Sequence, residues 1–355
     1  MRIAQIVGGT SIGEYQTLLR DLIRYVNPRE KSSVRLDFIV AADGPCSLVN
    51  EIRDLGYDAR VCPPDTDPVR FAWRLRKILR ERGPYDVVHN HLSRVDRLVL
   101  WLAARARVPV RISSDPARLA SFSGLDFTAF EASVDRDSTR ARLGLPDGAF
   151  VIGQVLPFEK NADPSFALQL AYESAWIDPY AFFVWIGNGP AMNRMQAMVQ
   201  HAKLADRVRF VGDRAVASSQ AAARLMLGAM DAFVMPEWGS GLGIPLLQAQ
   251  AAGLPCVISE EIPPEFGVLE SLIYRLSPNL NPGAWAHELQ RAKADGYGLN
   301  RHYTAAVMRA SRFNIDFAGR DLLRHYAALH SAAAMIEGKS GSRVRYRAGD
   351  FVPAH

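Results

Sequence analysis

The sequence predicts an α/β protein with two doubly wound, Rossmann-type parallel-sheet domains that face a central cleft. Short apolar strand-like runs alternate with segments of helical periodicity, which is typical of parallel strands joined by right-handed crossovers. The chain has 355 residues, more than one ordinary core accommodates. The alternation breaks only near the middle, at residues 114–150, where small and turn-forming residues accumulate. We therefore expect two domains on either side of this region.

The first half contains five predicted strands with four helices between them. Its first strand, 2–7, ends at Gly8-Gly9, and apolar residues then recur with helical spacing across 15–26. The other predicted strands cover 34–40, 57–61, 86–90 and 108–113, and the other predicted helices cover 46–55, 69–82 and 95–106. Residues 1–120 are therefore expected to form the N-terminal domain.

The second half repeats this pattern after a predicted linker, 121–149, that includes a short polar helix. Its predicted strands cover 150–156, 180–187, 207–212, 231–236, 254–259 and 272–276. Helices are predicted after most of these strands, the last and longest at 313–336. The second domain is assigned to 150–335. The remaining tail, 336–355, is polar and rich in Gly, Ser and Arg, and is predicted to be disordered.

Composition and charge restrict the cellular location of the protein and the classes of partner that it can bind. No apolar run reaches the roughly 18 residues that span a bilayer, and the N-terminal MRIAQIVGGT is typical of a strand rather than a signal peptide. Cys46, Cys62 and Cys256 fit neither a zinc pattern nor a disulfide framework, which predicts a reducing cytoplasm. Residues 1–120 hold 20 Lys/Arg against 14 Asp/Glu, a net charge of +6. This excess suits an anionic membrane surface, nucleic acid or phosphorylated substrates, or it reflects an arginine-rich composition.

The strongest candidate site is the stretch 237–248, which reads EWGSGLGIPLLQ. Gly239, Gly241 and Gly243 allow backbone N–H groups to approach an anion, and the helix that follows adds the positive end of its dipole. This combination favours a diphosphate ligand. The alternative is a glycine turn that serves packing alone.

Two other motifs are less specific. The stretch GNGPAM at 187–192 follows a strand and opens a helix, but Met192 stands where a dinucleotide fingerprint has its third glycine, which favours a tight βα turn. His89 and His91 lie at a strand end, and a metal site would need further ligands that the sequence does not supply. They are interpreted as structural or acceptor-side residues. A P-loop is excluded, because no GxxxxGK[ST] occurs.

Several stretches taken together resemble the family-4 glycosyltransferases, which have the GT-B fold. In chain order they are YDVVHNHL, GLDFTAFEASVDRDSTRARLGLP, GNGP, ADRVRFVG, LMLGAMDAFVMP and PEWGSGLGIPLLQAQAAGLPCVIS. The resemblance extends to about residue 330 and is nearest to the bacterial polysaccharide-synthesis branch. It implies a retaining transferase that moves a hexose from a nucleotide diphosphate sugar to a glycan or lipid-linked acceptor. It implies neither a metal cofactor nor a nucleic-acid partner.

The resemblance also implies roles for individual residues. Lys160 is expected to hold the departing diphosphate, and Gln248, at a partly solvated cleft position, to contact the ribose. The family's two donor-site glutamates fall on Ser240 and Gln248, so Glu237 is a candidate replacement for the first. The expected nucleotide-sugar site comprises Gly8, Gly9, Gly13, Lys160, Gly187, Gly189, Ser240, Gly241, Leu242, Gly243 and Gln248, with Lys160 and Glu237 as candidate catalytic residues.

The chain departs from the family pattern at several further positions. The family's second diphosphate-binding cation, an arginine, falls on Pro157, and its N-domain histidine falls on Ser113 or Ser114. The junction after the fifth strand lacks a segment that the family has there. These losses leave two alternatives open: a non-catalytic relative that binds nucleotide sugar or a partner enzyme, and a decaying gene product.

Peripheral attachment to an anionic membrane, at its cytoplasmic face, is predicted through the basic helix at 69–82.

Overall fold

The computed structural model describes residues 1–8, 21–26, 34–42, 44, 46–63, 68–92, 95–113, 124–156, 158, 163–212, 219–237, 243–295 and 300–340. These residues form two compact units. The N-terminal unit contains the described residues up to Gly124 together with those from Ile315 onward. The C-terminal unit contains Leu125–Asn314.

The N-terminal unit contains a five-stranded parallel sheet. Its strands are β1 (Arg2–Gly8), β2 (Arg35–Ala41), β3 (Asp58–Val61), β4 (Val87–Asn90) and β5 (Val110–Ser113), in the spatial order β3-β2-β1-β4-β5. Residues 21–26 are helical, and further helices span Ser47–Asp54, Pro68–Arg82 and Asp96–Arg105. Central strands such as β1 are apolar along nearly their whole length because helices cover both faces of the sheet.

The long final helix, Ile315–Ser340, belongs to this N-terminal unit. Leu322, Leu323, Tyr326 and Leu329 are buried in the same core cluster as strands β1 and β2. The sequence placed this helix in the second domain, 150–335, because helical periodicity shows that a buried face exists but not which sheet it covers. The helix also includes residues 336–340 of the predicted disordered tail, and residues 341–355 lie outside the described part of the chain.

The C-terminal unit contains a six-stranded parallel sheet. Its strands are β6 (Phe150–Val155), β7 (Ala181–Ile186), β8 (Val208–Val211), β9 (Ala232–Met235), β10 (Cys256–Ser259) and β11 (Ile273–Leu276). Their order, β11-β10-β9-β6-β7-β8, is the Rossmann strand order. Its helices are Ser165–Ile177, Met192–His201, Gln220–Gly228, Ile244–Ala251, Pro282–Ala294 and Arg301–Ala310. The predicted class, two doubly wound parallel-sheet domains, is confirmed.

Most of the predicted linker is an integral part of the C-terminal unit. Phe127 and Phe130 in a 3-10 turn are buried, and the helix Arg136–Arg142 follows. Asp231, whose side chain is almost wholly buried, accepts hydrogen bonds from the backbone N–H of Val151 at 2.7 Å, from Arg140 at 2.5 Å and from Arg136. These contacts attach the segment to the sheet, so the C-terminal unit begins at Leu125 rather than at 150.

Candidate functional site

The strand orders place one topological switch point in each unit. It lies between β1 and β4 in the N-terminal sheet and between β6 and β9 in the C-terminal sheet. In doubly wound sheets, ligands bind beyond the carboxyl ends of the strands at such points. Gly8 and His91 lie at the first switch point, and Glu237 lies just after β9 at the second. Sequence-predicted residues therefore lie at the carboxyl ends of the strands in each of the two sheets.

The described end of the glycine-rich turn is a left-handed glycine at the N-terminus of a helix. Gly243 has a φ of 62°, in the left-handed region that glycine adopts without steric cost, and the buried helix Ile244–Ala251 begins directly after it. Gly243 has no side chain that could cap the first N–H groups of this helix. Glu237 is exposed at the other end of the turn. Ser240, Gly241 and Leu242 lie outside the described residues.

Gln248 is buried, with 3% of its surface exposed, so the expectation of a partly solvated position is wrong. Its Nε2 donates a hydrogen bond to Oε1 of Gln220 at 3.0 Å, and Gln220 lies on the helix Gln220–Gly228. Two neutral amides thus stabilise each other below the glycine turn. The pairing helps to explain why an uncharged side chain suits position 248, because an isolated buried carboxylate is costly.

The two glycines of the GNGP turn are required by packing against the chain that follows β6. A Cβ atom at Gly187 would lie 2.1 Å from the carbonyl oxygen of Leu156, and one at Gly189 would lie 2.2 Å from that of Phe158. The N–H of Ala191 also donates to the Phe158 carbonyl at 3.0 Å. The turn therefore fixes the backbone at Phe158, two residues before Lys160, which itself lies outside the described residues. This observation favours the interpretation of a tight βα turn.

Four polar side chains form a hydrogen-bonded chain at the N-terminal switch point. Nε2 of His91 lies 2.7 Å from Oε1 of Gln5, Nε2 of Gln5 donates to the Tyr326 hydroxyl at 2.9 Å, and that hydroxyl lies 2.6 Å from Nδ1 of His89. A carbonyl oxygen only accepts, so His91 donates to Gln5, and Tyr326 in turn donates to His89. Both histidines therefore carry their proton on Nε2.

Burial keeps these histidines neutral. Desolvation lowers the pKa of His89 well below its usual value and lowers the pKa of His91 to about 3. Desolvation also raises the pKa of the Tyr326 hydroxyl above its usual range, so the phenol remains a donor. These four described side chains are polar and uncharged, which suits contact with neutral hydroxyl groups. Gly9 and Gly13 lie outside the described residues.

Sequence reasoning did not identify three residues of these networks: Gln5, Tyr326 and Gln220. Gln5 could have been noticed, because it is the one polar residue inside the apolar run RIAQIV. Tyr326 and Gln220 give no such signal, since their partners are distant in the sequence. Within the described ranges, no group of three or more His, Cys, Asp or Glu side chains is arranged to hold a metal ion.

Comparison with known proteins gives a consistent result. Residues 164–295 match the family described as Glycosyl transferases group 1. The chain is 25% identical over 348 residues to the putative glycosyltransferase EpsF of Bacillus subtilis (strain 168), covering 83% of this chain and 88% of that protein.

A second relative and one solved structure agree. The UDP-Gal:alpha-D-GlcNAc-diphosphoundecaprenol alpha-1,3-galactosyltransferase of Escherichia coli is 28% identical over 156 residues, or 42% of this chain and 37% of that protein. Anabaena Alr3699/HepE, solved with UDP and glucose, superimposes with a TM-score of 0.70 at 14% identity, over 92% of this chain and 100% of that one. The resemblance drawn from the sequence motifs and the GT-B fold are both confirmed.

Proposed function

We propose, because residues 164–295 match the Glycosyl transferases group 1 family, that this chain transfers a hexose from a nucleotide diphosphate sugar with retention of configuration. The acceptor is a glycan or a lipid-linked glycan in polysaccharide synthesis. The single observation that carries the proposal is the left-handed Gly243, which opens a buried helix beside the C-terminal switch point. A helix N-terminus of this kind favours binding of a diphosphate.

The donor diphosphate occupies the N-terminus of the helix Ile244–Ala251 in this proposal. Backbone N–H groups at Gly241 and Gly243 donate to its oxygens, and Lys160 neutralises the charge that develops as it departs. The GNGP turn supports Lys160 indirectly, because it fixes the backbone at Phe158. The exposed carboxylate of Glu237 is available to the sugar hydroxyls. No step requires a metal ion.

The comparisons support a particular choice of donor and acceptor to test first. Alr3699/HepE was solved with UDP and glucose, and the E. coli relative is named for a UDP-galactose donor and a diphosphoundecaprenol acceptor. We therefore propose a uridine diphosphate hexose as donor. At the acceptor edge, the neutral His91 presents an imidazole to hydroxyl groups without adding charge.

Isothermal calorimetry with UDP, GDP, UDP-glucose and UDP-galactose tests donor binding, and release of nucleotide diphosphate tests turnover. We expect UDP and its sugars to bind more tightly than GDP. Lys160→Ala is expected to weaken UDP binding by about 1.5–3 kcal/mol, as for a hydrogen bond to a charged group. Arg142→Ala, which removes an exposed cation from the helix Arg136–Arg142, is the control and should leave affinity unchanged. If the Lys160→Ala protein bound UDP as tightly as the unaltered chain, the assignment of Lys160 to the diphosphate would be rejected.

A second candidate function is favoured by the buried Gln248–Gln220 pair. Neutral amides replace a carboxylate that the family has at this position, and losing one preorganised electrostatic group typically costs about 10²–10³ in rate. A protein that binds nucleotide sugar without turning it over is consistent with this change. Tight UDP-sugar binding without nucleotide release, in the presence of membrane-extracted acceptors, would favour this second function.

A further inference from the structure

The helix Pro68–Arg82 has two opposite faces of different chemistry. Phe71, Leu75 and Leu79 are buried against the N-terminal sheet. The side directly opposite carries an exposed stripe at i, i+4, i+7, i+8 and i+11 spacing. This stripe consists of Val69, Trp73, Arg76, Lys77 and Arg80.

The neighbouring helix, Asp96–Arg105, repeats this arrangement. It buries Val99, Leu102 and Ala103, and it exposes Arg97, Trp101 and Arg105 at i, i+4 and i+8 spacing.

Both helices bury their apolar sides in one core cluster and pack against each other, so their exposed stripes lie on the same side of the unit. We call these eight residues the Trp73/Trp101 surface: Val69, Trp73, Arg76, Lys77, Arg80, Arg97, Trp101 and Arg105.

The composition of the Trp73/Trp101 surface is unusual for a solvent-exposed protein surface. Trp73 is 64% exposed and Trp101 is 46% exposed, although large aromatic side chains are usually highly buried. Each ring is flanked by a cation: Nζ of Lys77 lies 5.5 Å from the centre of the Trp73 ring, and Cζ of Arg105 lies 4.6 Å from that of Trp101. The eight residues include five cations and no acid. Glu81, which pairs with Lys77 at 3.8 Å, lies at the flank.

The geometry points to a docking surface for an anionic lipid bilayer. Five cations complement the negative potential of anionic headgroups. Tryptophan is enriched at the boundary between headgroups and acyl chains, where its ring is buried and its N–H stays near water. Val69 is 74% exposed, and its aliphatic side chain would be stabilised by contact with lipid but not by contact with nucleic acid. This inference goes beyond the proposed function and does not depend on it.

Co-sedimentation with vesicles of phosphatidylcholine and about 30 mol% phosphatidylglycerol, whose headgroups supply the anionic surface, tests the inference. We expect the full chain to bind these vesicles, to bind pure phosphatidylcholine vesicles far more weakly, and to lose binding as salt is raised. Neutralising Arg76, Lys77 and Arg80 to Gln should weaken binding about 100-fold, at about fivefold for each cation. Trp73→Ala with Trp101→Ala should weaken binding at least about tenfold at constant charge.

Matched controls come from the other unit. Trp176 is 79% exposed on the helix Ser165–Ile177, so Trp176→Ala removes an even more exposed tryptophan. Arg142→Gln with Arg194→Gln removes exposed cations from two further helices. Both controls should bind vesicles as the unaltered chain does. All variants change exposed side chains, and unchanged thermal unfolding shows that they are folded.

Three results would overturn the inference. One is the absence of vesicle binding by the unaltered chain at low salt. Another is binding that survives both sets of substitutions on the Trp73/Trp101 surface. A third is tighter binding of single- or double-stranded DNA at equal salt, with vesicles failing to compete, which would identify nucleic acid as the partner of this surface. Loss of UDP binding with intact vesicle binding would affect only the proposed function.

Discussion

At the scale of single residues, the buried Gln248–Gln220 pair determines what position 248 tolerates. A carboxylate there could not donate to Oε1 of Gln220, and with 3% exposure it would lose its hydration. We expect Gln248→Glu to lower the free energy of unfolding by about 1–3 kcal/mol at pH 7. Chemical denaturation measures this cost.

The cost at position 248 should depend on pH. Burial raises the pKa of an introduced carboxyl above its value in the unfolded chain, so the folded state binds more protons and the penalty shrinks as pH falls toward the unfolded value of about 4.3. Gln169→Glu, at an exposed position of the helix Ser165–Ile177, is the control and should cost little at either pH. A penalty at position 248 that is equal at pH 7 and near pH 4.5 would contradict this account.

The buried His89 and the half-buried His91 predict a specific acid sensitivity. His89 and His91 have folded pKa values below the unfolded value of about 6.5, so below that pH the unfolded chain binds more protons. Stability is therefore full above pH 6.5 and is lost as pH falls, by about 1.4 kcal/mol per pH unit for each histidine. Denaturation midpoints between pH 7 and 5 measure the slope. His91→Gln should reduce it, whereas His302→Gln, at an exposed position, should not.

The hydroxyl of Tyr326 connects His89 to Gln5. Tyr326→Phe removes one donor and one acceptor from this row of hydrogen-bonded side chains, so we expect a loss of about 1–3 kcal/mol in unfolding free energy. Nitrogen-15 NMR of the imidazoles should show Nε2-protonated His89 and His91 in the unaltered chain. Tyr303→Phe, on a side chain that is 56% exposed, is the control. An Nδ1-protonated His91 would contradict the assigned direction of these hydrogen bonds.

At the scale of secondary-structure elements, the GNGP turn links packing to the donor site. Gly189→Ala would place a Cβ atom 2.2 Å from the Phe158 carbonyl oxygen, so either the turn or the segment before Lys160 must move. We expect UDP affinity to fall together with stability. Gly148→Ala is the matched control, because its φ of 73° is positive, like the φ of 149° at Gly189, but no atom lies within 4 Å of its Cβ position. It should cost about 1–2 kcal/mol in stability without changing UDP affinity.

Most elements could be predicted from the sequence to within a residue or two. Strands such as β7 are continuous apolar runs because both sheet faces are covered, and this pattern is visible without tertiary information. The helix Arg301–Ala310 was not predicted, because its ten residues contain few strongly apolar side chains. The segment 125–149 was interpreted as a linker, because its attachment depends on Asp231, about ninety residues away.

The candidate site was predictable to a smaller extent. Glycines after strands indicate a ligand edge, so the region of Gly243 followed from local pattern. The packing function of Gly187 and Gly189 did not, since it requires the position of Phe158 in space. The burial of Gln248 also depends on a partner in another helix. Side chains that pair across the fold are therefore the part that local patterns miss.

At the scale of the whole molecule, the chain does not divide into two sequential halves. The N-terminal unit is completed by the final helix Ile315–Ser340, which supplies Leu322, Leu323 and Tyr326 to its core. Within the described residues, no helix is long and apolar enough to cross a membrane. The C-terminal unit, Leu125–Asn314, contains its own six-stranded sheet and the turn at Gly243. The stability of the two units should therefore respond differently to truncation.

Ending the chain after Asn314 tests this division. Removing the final helix exposes the apolar core of the N-terminal sheet and leaves Gln5 and His89 without Tyr326, so we expect the N-terminal unit to unfold. Hydrogen exchange should then show loss of protection in β1, β2 and β4, with β6, β7 and β9 still protected and UDP still bound. Ending the chain after Ser340 keeps the whole helix and is the control. Protection of β1 that persists without the final helix would show that the N-terminal sheet is stable without it.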